Sequence, residues 1–386
     1  MSRSLIALLA AAGILLGGCA TISDTLDSIN PFSSSAPKMA PLSPLTATAE
    51  VRTLWSASVG KSGDYTFTPA AVGDSVYAAS QNGSLVRLED GKVRWKINVG
   101  QQLSAGVGSN GRIVVVGTPK GGVLAYSADD GKALWQAQVS SEVLAAPAVG
   151  DDGVAVKSGD NQIHLLNLGD GSRKWVYQRA TPPLSVRSAG SPVFADRYLF
   201  VGYPGGKLVA LSMQNGAPVW EGAVALPKGA TELDRVADIV APPVVEGRQI
   251  CAVAFQGRVA CFDMGQGGAM VWSREMSSVA GLAMDGRYLF VSDDKGVVYG
   301  LDLLSGGSLW KQDKLKNRRL SAPLVRHGLV TVADAQGIVH FLSREDGSFV
   351  ARQKTDGTPV VAPLQMLGSS VLIQTTGGTV SAIEAQ

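Results

Sequence analysis

The residues whose types and spacing could carry chemistry are few. The 386-residue chain holds three cysteines and three histidines. Cys251 and Cys261 flank a hairpin turn at Gln256-Gly257 and share strand parity, so they could face one another across two neighbouring strands. A disulfide is the chemistry to expect of them, with two buried free thiols as the alternative; a redox-active pair would lie closer together, as Cys-x-x-Cys. His164, His327 and His340 fall in or beside different strands without metal-ligand spacing. They read as ordinary strand residues, and no metal is expected. The glycine pairs Gly121-Gly122, Gly205-Gly206 and Gly377-Gly378 recur at one place in a repeat, which makes them hairpin turns rather than phosphate loops. Spacing assembles no nucleophile with its base.

The remaining cysteine, Cys19, belongs to a segment of another kind. Arg3 is followed by an apolar run from Leu5 to Leu16, too short to cross a bilayer, so residues 1–18 read as a secretory signal. Leu16-Gly17-Gly18-Cys19 resemble a bacterial lipobox, in which small residues admit the signal peptidase and the cysteine thiol accepts lipid. Acyl chains contribute about 0.8 kcal/mol per buried methylene, so several of them hold a protein at a membrane without a spanning helix. Ala20 stands where an aspartate would signal inner-membrane retention. That points to the outer membrane, with the lipid as the membrane contact and the chain facing the periplasm. Export to an oxidising compartment also favours the Cys251–Cys261 bond. Residues 19–49 are rich in Ser, Thr, Pro and Ala and bury too little apolar surface to offset their ordering entropy, so they read as a flexible tether.

The elements that must position everything else come from an internal repeat over residues 50–386. Tryptophans fall at 55, 95, 135, 175, 220, 272 and 310. Before most of them stands a tight-turn signal: Asp90-Gly91, Asp130-Gly131, Asp170-Gly171 and Asn215-Gly216, with looser copies at Gly267-Gly268 and Ser305-Gly306. An eighth copy, Asp346-Gly347, leads to Ala351 where a tryptophan would stand. Each unit starts on an Ala-Pro-like step, such as Ala146-Pro147 or Ala362-Pro363, and continues through a β-rich run and an alternating strand such as Gly206 to Leu211. Four short strands per unit of about 40 residues make a propeller blade. The strand around Trp55 lacks preceding strands of its own unit, and the last segment lacks a tryptophan strand. Together they complete one blade, so the fold expected is all-β, an eight-bladed β-propeller of four-stranded blades, closed by pairing the N- and C-terminal strands. Recurrence once per unit assigns the tryptophans to packing between blades rather than to a cofactor platform.

The Ala-x-Pro start, the Gly-x-Leu-x-Ala-Leu strand and the Asp-Gly-x-x-x-Trp close resemble the pyrroloquinoline-quinone-type propeller repeat. With the lipobox and eight such units, nearly the whole chain resembles the BamB family, lipoproteins of the outer-membrane β-barrel assembly machinery. The resemblance implies a non-enzymatic role: binding the periplasmic domains of the machine's barrel subunit and helping outer-membrane proteins fold and insert. It places the partner site on loops between blades, at a Leu-Ser-Leu-Arg-type motif that is Leu184-Ser185-Val186-Arg187 here, and on an acidic loop that is Asp234 to Asp238 here. Both Asp234 and Asp238 become candidate contacts. The family pattern carries a further acidic residue where this chain has Val240, which puts a second salt bridge there in doubt. Unfolded outer-membrane proteins are further candidate partners, by strand addition onto a blade edge that the sequence does not locate.

Composition narrows the alternatives. A formal net charge of +2 gives no field that would select nucleic acid, and none is expected as a partner. The same repeat occurs in quinone-dependent dehydrogenases, but those need metal-binding carboxylates, a catalytic aspartate and often adjacent cysteines, and no such set can be assembled here. No cofactor is expected. A propeller scaffold for another envelope complex would look identical at this level, since the fold does not fix the partner.

Overall fold

Among the described residues, short β-branched runs punctuated by glycine turns fold into thirty-two strands arranged as eight four-stranded sheets, with a single short 3-10 turn at Met264–Gln266. The computed structural model describes residues 37–385; the expected signal over 1–18 and Cys19 lie outside the described residues. Two units divide the chain, Met1–Met39 and Ala40–Gln386, and the second carries all eight sheets. In chain order the blades span residues 70–98, 108–138, 148–177, 193–223, 244–275, 281–312 and 324–354. Blade 8 joins Gln365–Leu367, Ser370–Gln374 and Thr379–Ala385 to the N-terminal strand Val51–Ser58. That strand pairs antiparallel with the last one, from Val51 opposite Ala385 to Ser58 opposite Thr379. The expected architecture and its closure are thus what the chain adopts.

Eight apolar clusters fill the eight interfaces between neighbouring blades. One of them joins Phe200 and Leu208 of blade 4 to Ile250 and Phe262 of blade 5. The closing one sets Trp55 and Leu372 of blade 8 against Val76 and Leu88 of blade 1. The middle strands are buried on both faces, as along Ile113–Gly117, whereas outer strands alternate, as along Ala133–Gln138.

The tryptophans and the Asp-Gly turns prove to be two halves of one joint. The indole Nε1 of Trp95 donates to Ala128 O (2.9 Å) and that of Trp135 to Leu168 O (2.7 Å), each reaching the turn between the third and fourth strands of the next blade. Trp175, Trp220, Trp272 and Trp310 do the same. The turn glycine lies under the ring. A Cβ on Gly171 would sit 2.4 Å from Trp135, and its φ of +70° is left-handed, so this position requires glycine twice over.

The tether expected as far as residue 49 is shorter than its composition suggests. From Ala40 the chain is fastened to blades 6 and 7: Ala40 N–H donates to Lys316 O (2.9 Å), and the buried Arg318 donates to Ala40 O (3.0 Å). Arg352 donates to Ser43 O (2.6 Å) and Thr48 N–H to Val350 O (2.9 Å), while Leu42 packs beside Trp310 and Leu320. Backbone groups and one leucine suffice for this docking, which is why a low-complexity composition does not reveal it.

Candidate partner-binding site

Alternation of antiparallel strands puts the blade-to-blade connections and the turns between second and third strands on one rim, opposite the Asp-Gly turns. Two of these connections are long: residues 178–192 between blades 3 and 4, and 224–243 between blades 4 and 5. Leu184 to Arg187 lie in the first. Leu184 is 49% exposed, a large apolar side chain with no interior to enter. Ser185 and Arg187 are exposed and Val186 is half-buried.

The loop is held from below by Asp238. Its carboxylate accepts the Val186 N–H at Oδ2 (2.6 Å) and the Gly205 N–H at Oδ1 (2.9 Å), so both oxygens serve the backbone. The residue is 2% exposed, and its own carbonyl accepts from Phe255 N–H. Asp238 was expected as a partner contact; burial and these bonds make it the clamp that shapes the loop. Ser188 Oγ adds a second tie to Val240 O (3.0 Å), and Val240, at 8% exposure, also faces inward. Beneath the clamp, buried Lys157 donates to Gly202 O (2.9 Å) and lies 5.7 Å from the Tyr203 ring. Burial pushes its ammonium down to about 8, with Asp238 pulling the other way.

Arg187 forms a two-pronged pair with Glu142, Nε to Oε1 at 3.1 Å and Nη2 to Oε2 at 2.6 Å, and its guanidinium lies 5.8 Å from the Tyr65 ring. Glu142 and Tyr65 come from two other connections, so the arginine is fixed in place while 56% of its side chain stays exposed. Asp234 stands apart. It exchanges hydrogen bonds with Thr231, whose hydroxyl and N–H hold its carboxyl below the usual range, and it remains exposed. Beside it Leu233 is 69% exposed. Sequence reading missed Glu142, Tyr65 and Lys157, none of which carries a local signal.

The other candidates take structural positions. Cys251 and Cys261 are register partners on neighbouring strands of blade 5, joined as a disulfide and fully buried. His164 lies 3.2 Å from Ser140 Oγ, His340 lies 2.9 Å from Asp334 Oδ2, and His327 occupies a hairpin turn. Among the described residues no three His, Cys, Asp or Glu side chains are placed to hold a metal ion.

A family model described as outer membrane protein assembly factor BamB matches residues 84–312 and 294–386. The BamB of Bordetella pertussis is 40% identical over 377 residues, spanning 96% of this chain and 95% of that protein. The chain belongs to the BamB family. The BamB of Pseudomonas aeruginosa is 39% identical over 330 residues, spanning 84% of this chain and 86% of that one. The crystal structure of BamB from Moraxella catarrhalis matches with a TM-score of 0.81 at 28% identity, over 87% of this chain and 100% of that chain. The quinohemoprotein alcohol dehydrogenase of Comamonas testosteroni matches with a TM-score of 0.70 over 86% of this chain and 76% of that one, but at 12% identity it shares the fold alone. BamB relatives that match along almost their whole length are assembly factors, and this chain, a BamB-family propeller, is not an enzyme.

Proposed function

We propose that this BamB-family chain is a lipid-anchored subunit of the outer-membrane β-barrel assembly machinery, attached through Cys19 and facing the periplasm. It docks on the periplasmic domains of the barrel subunit through Leu184 and Arg187, and so assists folding and insertion of outer-membrane proteins. The observation that carries this reading is the exposed Leu184–Arg187 loop set by a buried carboxylate, because a pre-formed loop loses little entropy on binding. Leucine supplies apolar area and arginine a charge-assisted hydrogen bond, a pairing suited to an interface anchor.

The test is a titration of the purified chain with the barrel subunit's periplasmic domains. Leu184→Ala combined with Arg187→Ala should weaken binding by about 30-fold or more, in the range of anchor residues. Asp238→Ala should weaken it by about 10-fold without removing any contacting side chain, since it leaves the Val186 and Gly205 N–H groups unpaired. Binding unchanged in a folded double variant, or capture of a different envelope complex in its place, would overturn the reading. Cys19→Ser should release the chain from the membrane fraction.

A further inference from the structure

We infer that the mouth of the central channel is a second docking element, which receives a partner loop carrying a carboxylate beside a bulky apolar side chain. Arg319 takes the carboxylate, and Val279, Leu320 and Val361 take the apolar group. The inference rests on the partner reading above and extends it to residues that lie outside the Leu184–Arg187 loop.

A cavity of about 510 Å³ opens on the rim of blade-to-blade connections, within the range of sites that hold a ligand or an inserted loop. Its wall begins at Val186 to Ala189, so it continues directly from the candidate site, and it ends at Val360 to Pro363 across the mouth. Val279 is 50% exposed and Val361 is 52% exposed, while Leu320 is buried. Two branched apolar side chains held half in water around one depression form a surface that gains by being covered.

The charges around the mouth decide what covers it. Arg187 is already paired with Glu142. Asp294 accepts from Val279 N–H (2.8 Å) and from Ser277 Oγ, and Asp293 accepts from Lys295 N–H (2.9 Å) and Val297 N–H (2.8 Å), so both acidic groups serve their own turns. Burial also pushes the Asp293 carboxyl up. Arg319 differs: its guanidinium is exposed at the mouth and makes no hydrogen bond or ion pair among the described residues. Its backbone is left-handed, with φ of +52°, a conformation unfavourable for an arginine that the loop nonetheless maintains. A guanidinium with no hydrogen-bonded partner of its own, beside apolar side chains, can take a carboxylate with an apolar neighbour.

Titration of the full chain with the barrel subunit's periplasmic domains tests this. Arg319→Gly suits the left-handed backbone and removes only the side chain, so the thermal midpoint should hold or rise while binding weakens by about 10-fold or more. Val361→Asp should weaken binding comparably. In the Arg319→Lys complex, a carbodiimide should cross-link position 319 to a partner carboxylate, which peptide mapping identifies. Wild-type binding by Arg319→Gly and Val361→Asp, with loss only in the Leu184→Ala and Arg187→Ala double variant, would overturn the inference and leave the proposed function standing. Binding retained with no cross-link at 319 would overturn the carboxylate assignment. Failure of the wild-type chain to bind would remove both readings.

Discussion

Lys157 is an ammonium buried with a carbonyl and an aromatic face for company, and among the described residues no carboxylate stands at ion-pair distance from it. Burial lowers its pKa from 10.5 to about 8, so above pH 8 the unfolded chain binds this proton more tightly than the folded one. Stability should therefore climb between pH 8 and pH 10.5, by roughly 3 kcal/mol in all. Urea unfolding at pH 7.5 and 9.5 measures most of that window before tyrosines ionise in the unfolded chain, and the rise should vanish in Lys157→Met. Nothing in the sequence points to this lysine, because what makes it unusual is the layer of loop placed over it. Asp234 and Asp238 teach the same lesson from the other side. They sit four residues apart in one acidic loop and read alike, yet the chain from Val236 to Val240 turns inward, so one carboxylate becomes a buried clamp and the other stays on the surface. The loop that exposes Leu184 and Arg187 was legible as a candidate from its motif, whereas Glu142, which orients the arginine, lies in another blade connection with no local mark.

The joint between a tryptophan and the following turn glycine is the unit of blade-to-blade cohesion. Two glycine substitutions separate its two requirements. Gly171→Ala meets both a left-handed φ of +70° and the Trp135 ring 2.4 Å away, and should cost about 2–4 kcal/mol. Gly73→Ala, at φ +57° with nothing within 4 Å, should cost only about 1 kcal/mol of backbone strain. Chemical denaturation of the two variants side by side gives the difference; equal losses would mean that the ring contact contributes nothing. The strands and this motif were readable in advance because each blade repeats them with two-residue periodicity and glycine turns. What could not be read was why Ala351 breaks the series. Each tryptophan sits on the third-to-fourth-strand turn of the next blade, and blade 8 has no such turn, since its third strand is the last strand of the described residues and its fourth is the first. A tryptophan in blade 7 would have no glycine to cover, and Ala351 is instead buried at 1% exposure.

That missing turn makes the closure of the whole ring open to a decisive test. Val51 and Ala385 are register partners at the point where every other blade has its tight turn, so a short Asp-Gly linker can join them, with new termini cut at the exposed Gly63-Asp64 step. The permuted chain keeps all eight interfaces and turns blade 8 into a continuous sheet. It should fold cooperatively to the same propeller, less stable than the parent only by what the docked segment at Ala40 to Thr48 contributes, because the blades themselves change connectivity alone. Deletion of residues 37–58 removes the same strand outright. Trp55 then leaves the closing cluster, Thr379–Ala385 becomes an unpaired edge, and the chain should lose its cooperative transition and self-associate. Ala351→Trp separates the two designs further. In the parent chain it should destabilise by about 1–3 kcal/mol, since it overpacks a buried site with no turn to receive the ring. In the permuted chain the new glycine supplies the seat that the other seven tryptophans use, so the penalty should shrink by at least about 1 kcal/mol. An equal penalty in both backgrounds would show that the absent tryptophan is unrelated to the break in the chain, and that closure depends on strand pairing alone.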